Sequence, residues 1–89
     1  MKWTVRILLP AALRRWVEDA EVVTVAAGTV GEAVQELEAR HPRIMGSVVD
    51  EQGRLRPHVN LFLGGKRVGL DTLVEGDTDL HVLQAISGG

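Results

Sequence analysis

One helix signal, set between runs of alternating hydrophobicity, restricts the fold of this chain more than anything else in it. Thr29 is a good N-cap, and Glu32 stands three residues later, the spacing of a capping box. Val30, Ala33, Val34 and Leu37 recur at helical spacing on one face, while Glu32, Gln35, Glu36 and Glu38 occupy the rest. Pro42 stops the helix near Arg40 and His41, because the residue before a proline is pushed out of the helical region. The apolar stripe is a core-packing stripe. A helix with one such stripe covers one face of one sheet, so the remaining apolar residues must build that sheet.

The strand signals supply it. Residues 2 to 9 alternate, with Trp3, Val5, Ile7 and Leu9 on one side and Lys2, Thr4, Arg6 and Leu8 on the other. Pro10 ends this run, and residues 11 to 20 form a turn or short helical piece. Residues 21 to 26 are a second strand, close enough to pair antiparallel with the first. Ile44, Met45, Val48 and Val49 make a short apolar patch, and residues 50 to 53 a turn. Residues 58 to 63 are a third strand with Val59, Leu61 and Leu63 on one face; Gly64-Gly65 is a hairpin signal, and Arg67-Val68 a short fourth strand. Residues 79 to 86 are the last strand, with Leu80, Val82 and Ile86 facing one way and His81, Leu83 and Ala85 the other. The expected fold is α+β: a mixed sheet of four to five strands with one main helix on one face, in the β-β-α-β-β-β order of a β-grasp domain spanning residues 1–89. First and last strands lie side by side at the sheet centre, with residues 85–89 leaving as a flexible tail.

Composition narrows the function. The 89 residues make one domain, and 45% apolar with 25% charged residues excludes disorder. A net charge of −2 leaves no basic excess for nucleic acid, and 3% aromatic residues leave no stacking platform. No apolar run approaches a membrane span, and Met1 to Arg6 lacks a signal-peptide core, so a cytoplasmic location is expected. Cysteine is absent, which removes disulfides, thiolate ligands and a thiol nucleophile. His41, His58 and His81 match no zinc spacing; Asp71, Glu75, Asp77 and Asp79 sit around turns without a calcium-loop spacing, and no metal site is expected. No P-loop or dinucleotide fingerprint is present, so the chain is expected to bind no ATP by itself.

What remains is the end of the chain, Ser87-Gly88-Gly89. Glycines lie extended or take positive φ at little cost, and they enter channels too narrow for a side chain. Such an end suits a protein whose own terminal carboxylate is the reacting group.

Several segments together resemble the ubiquitin-like sulfur carriers of the MoaD/ThiS family, in particular members related to CysO. They are Thr29-Val30-Gly31-Glu32-Ala33-Val34, Leu37-Glu38, His41-Pro42, Leu55-Arg56, Val59-Asn60-Leu61-Phe62-Leu63, Gly69-Leu70-Asp71-Thr72, Glu75-Gly76-Asp77 and Ala85-Ile86-Ser87-Gly88-Gly89. The chain departs from many members in lacking a proline near Gln84 and in carrying Ser87 where alanine or threonine is common. The resemblance implies a carrier and co-substrate rather than an enzyme. A ubiquitin-activating-like adenylyltransferase, using its own ATP and Mg²⁺, would adenylate the Gly89 carboxylate. A sulfur donor protein would then supply the sulfur of a thiocarboxylate. That group would be delivered to an acceptor enzyme such as a molybdopterin synthase large subunit or a cysteine synthase. Gly88 and Ser87 would thread the partner's channel. A protein modifier, joined through Gly89 to target lysines, is the alternative. An interaction domain with an idle tail is a third reading.

The strand alternation also defines a partner surface. If Val59, Leu61 and Leu63 lie under the helix, Asn60 and Phe62 lie on the opposite face, together with Arg6, Leu8, His81, Leu83 and Ala85. Phe62 and Leu83 are the expected anchors, since aromatic and aliphatic groups dominate interface energy. His81 reads as a solvated or packing residue rather than a proton carrier.

Overall fold

The computed structural model describes residues 1–85. Five strands form one mixed sheet in the order β2-β1-β5-β3-β4. They are β1 (Trp3–Leu8), β2 (Val22–Ala27), β3 (Val59–Leu63), β4 (Lys66–Val68) and β5 (Thr78–Gln84). β1 pairs antiparallel with β2 and parallel with β5, so the first and last strands are inner neighbours, as expected. β3 pairs antiparallel with β5 and with β4.

A short helix α1 (Ala11–Arg14) and a 3₁₀ turn (Arg15–Val17) link β1 to β2. Glu18 and Asp19 end that turn with φ of 57° and 62°, a left-handed pair made without glycine. The main helix α2 (Val30–Arg40) follows β2. Its capping box is complete: the Glu32 amide donates to Thr29 Oγ1 at 3.1 Å, and the Thr29 amide donates to Glu32 Oε1 at 3.1 Å. The next two free amides at this end, Val30 and Gly31, donate to the carbonyls of Thr72 and Leu70 at 2.9 and 2.8 Å. Thus the helix start is tied to the loop before β5, and its terminal donors are satisfied inside the protein.

Val30, Ala33, Val34 and Leu37 of α2 are buried, as the stripe requires. They meet Val5, Ile7, Val23, Val25, Val59, Leu61, Leu80 and Val82 from one face of the sheet. Leu13, Val17, Ile44 and Val48 close the ends of this core, and among the described residues no polar or charged residue is buried in it. At one end Trp16 is half-buried, with the guanidinium groups of Arg15 and Arg43 lying 5.7 and 5.2 Å from its ring centroid. The segment 44–49 splits: Ile44 and Val48 are buried, Val49 bridges to Leu55, and Met45 is exposed. A 3₁₀ turn (Pro42–Ile44) follows α2 directly, with Pro42 at its first position, where a missing N–H costs nothing. Gly64 and Gly65 take φ of +58° and +86°, the paired positive values of a tight hairpin turn between β3 and β4.

Candidate functional site

The face of the sheet away from α2 carries the residues expected to dock a partner. Sheet register aligns them. Leu8 stands opposite His81 across the parallel pair, and His81 stands opposite Phe62 across the antiparallel pair. The same line continues outward to Val22 beside Leu8 and to Arg67 beside Phe62. Leu8 and Phe62 are half-buried by their neighbours, while His81 is exposed. Two residues closer to the chain end, Leu83 faces Asn60, and its side is 47% exposed. Two residues farther away, Arg6 faces Asp79.

That last pair is a fork. Arg6 Nε and Nη2 donate to Asp79 Oδ1 and Oδ2 at 2.7 and 2.8 Å. Hydrogen bonding from Arg6, then its charge, holds the Asp79 carboxyl below the usual carboxylate range, and the same contact raises Arg6. Two residues before Asp79, just ahead of β5, Asp77 Oδ1 accepts from the Thr4 amide at 2.8 Å. Two of the four acids placed around turns therefore tie β1 to the start of β5.

Of the residues expected on this surface, Arg6, Leu8, Asn60, Phe62, His81 and Leu83 share the face, while Ala85 follows the end of β5. The structure adds Val22, Arg67 and Asp79, which sequence reasoning did not place there. Alternation along each strand tells which side a residue takes, but only the pairing of strands far apart in sequence tells which residues stand in line. Val22 is 40% exposed, an apolar residue on the free edge of the patch.

The patch lies beside the exit of the chain. β5 ends at Gln84, opposite Val59, and the Ala85 amide donates to the His58 carbonyl at 2.7 Å. Ala85 is the last described residue. Ser87, Gly88 and Gly89, and the tail expected over 85–89 beyond Ala85, lie outside the described residues.

The sequence profile of the ThiS family matches residues 7–89. The chain belongs to the ThiS family. Small archaeal modifier protein 3 of Haloferax volcanii is 31% identical over 65 residues, 68% of this chain and 70% of its own length. A chain of the Amycolatopsis orientalis BexX/CysO complex superposes with a TM-score of 0.86 at 28% identity, covering 96% of this chain and 99% of that one. CysO of Mycobacterium tuberculosis gives a TM-score of 0.84 at 25% identity, covering 92% of this chain and 99% of its own. These ThiS-family likenesses bear out the β-grasp fold and the resemblance to CysO-related members. Among the described residues no helix is long and apolar enough to cross a membrane, and no group of acids and histidines is arranged to hold a metal ion.

Proposed function

We propose that this protein is a sulfur carrier, acting in the cytoplasm as the co-substrate of a partner enzyme. The observation that carries the reading is the group of apolar side chains Leu8, Phe62 and Leu83 around His81 on the open face, beside the end of the strand that leads to Gly88-Gly89. A carboxylate is a poor acyl donor, since its leaving group would be oxide. The partner adenylyltransferase, with ATP and Mg²⁺ bound in its own site, converts the Gly89 carboxylate to an acyl adenylate with AMP as leaving group. A sulfur donor protein supplies the nucleophile, and the product is a thiocarboxylate. Phe62 and Leu83 anchor the docked complex, Arg6, Leu8 and His81 border them, and Ser87 and Gly88 pass through a narrow channel. The acceptor is a biosynthetic enzyme of the molybdopterin synthase or cysteine synthase kind. The solved BexX/CysO complex, in which CysO is joined to a second protein, supports a carrier that works in an assembly.

The names of the relatives favour a second reading, in which Gly89 is joined to target lysines. Intact mass spectrometry of protein purified from its own cells separates the two. Replacement of one oxygen by sulfur at the C-terminus is expected for the carrier. For the modifier, tryptic digestion leaves an unusual signature. The last trypsin site is Arg67, so a modified lysine would carry the whole segment from Val68 to Gly89 rather than Gly-Gly alone. An added residue after Gly89 should abolish thiocarboxylation without affecting folding; full activity of the untrimmed extended chain overturns the proposal.

A further inference from the structure

The sheet has two edges, and they are protected unequally. β4 is three residues long and begins Lys66-Arg67, so charge and shortness make it a poor template for another strand. β2 is six residues long, and Val22, Thr24 and Ala26 on its open face carry no charge.

The register shows which peptide groups β2 leaves free. The Leu9 amide donates to the Glu21 carbonyl at 2.9 Å, which makes Leu9 and Glu21 a hydrogen-bonded pair. In an antiparallel ladder bonded and non-bonded pairs alternate. Val23, Val25 and Ala27 therefore bond to β1, while Val22, Thr24 and Ala26 aim their amides and carbonyls outward. Arg40 confirms the direction: its Nη1 donates to the Thr24 carbonyl at 2.6 Å, reaching across the edge from the last turn of α2.

Thr24 is the middle of the three outward residues, and this placement has a consequence. A second copy of the chain, laid antiparallel along β2, would pair Thr24 with its own counterpart and Val22 with Ala26, at the centre of a two-fold axis. The row of small, uncharged residues is complementary to itself in that arrangement. The Arg40 guanidinium occupies the central acceptor and puts a positive charge on the axis, where its counterpart would meet it. We propose that β2 is a latent self-association strand and that Arg40 keeps the protein monomeric by covering the Thr24 carbonyl. This does not depend on the sulfur-carrier reading.

Sedimentation velocity on the full chain tests it. Arg40→Met keeps an apolar stem against the helix and removes the donor and the charge. Wild type should remain monomeric across a concentration series in which Arg40→Met dimerises, with a dimer constant at least about tenfold tighter, as expected when a charge-assisted contact no longer has to be broken. Adding Thr24→Pro should return that variant to monomer, because proline removes an outward amide that β1 does not use. Backbone amide exchange gives an independent readout on folded protein: in Arg40→Met, the amides of Val22, Thr24 and Ala26 should gain protection as concentration rises. An Arg40→Met variant that stays as monomeric as wild type, or a dimer that survives the added Thr24→Pro, overturns the proposal.

Discussion

Arg6 and Asp79 show how a single contact sets a pH dependence. The fork lowers the Asp79 pKa, hydrogen bonding from Arg6 being the largest cause. A carboxyl depressed in the folded state stabilises the fold above its unfolded pKa, about 4, and that contribution is lost as pH falls through the lower folded value. Asp79→Asn should therefore melt below wild type at neutral pH and converge with it in strong acid. Thermal melts from neutral to acid pH check this, and a constant gap at all pH values contradicts it. Gly31 is a second residue-scale case. A Cβ there would stand 3.1 Å from the Leu70 carbonyl, which already accepts the Gly31 amide. Gly31→Val should destabilise by about 1–3 kcal/mol through this overpacking, measured by urea unfolding. Glu18 holds φ at 57° without the freedom of glycine. Glu18→Gly should leave stability unchanged or raise it by up to about 1 kcal/mol.

At the scale of elements, the two ends of α2 differ: the first turn is stabilised and the C-terminal half carries a cost. Thr29 and Glu32 satisfy the first turn, and Thr29→Ala should cost about 1 kcal/mol, seen as a lower denaturant midpoint with unchanged slope. Toward its other end the helix carries Glu38, whose carboxyl is raised by desolvation. Ionising a group raised in the folded state disfavours the fold as pH rises through its pKa, and a negative charge near a helix C-terminus adds to the penalty. Glu38→Gln should accordingly raise the melting temperature at neutral pH and lose that advantage in acid. A lower melting temperature for Glu38→Gln at neutral pH would show that Glu38 makes a stabilising contact instead.

For the molecule as a whole, the core and the proposed docking surface occupy opposite faces of one sheet, and this separation makes the two experimentally independent. Phe62→Ala removes an aromatic group from the open face while Val59 and Leu61 on the same strand stay buried beneath α2. If Phe62 anchors the proposed activating partner, binding should weaken by about tenfold or more, as for aromatic anchors in general, with only a small change in unfolding midpoint. Titration calorimetry alongside a melt distinguishes this from loss of fold. Unchanged affinity would remove Phe62 from the docking surface.

Much of this arrangement was legible in order. Thr29, Glu32 and Pro42 bound α2 by local chemistry, and period-two runs mark each strand's two sides, because both effects act within a few residues. Gly64-Gly65 likewise declares its turn through backbone freedom alone. The Glu18–Asp19 turn was hidden, since no glycine marks it. The exposure of Met45 was hidden too, since Pro42 and the packing of Ile44 and Val48 decide it. Above all, the line from Val22 through Leu8, His81 and Phe62 to Arg67, the fork between Arg6 and Asp79, and the reach of Arg40 to Thr24 came only from tertiary structure. Each joins residues on separate elements, and such alignments exist only once those elements have paired and packed.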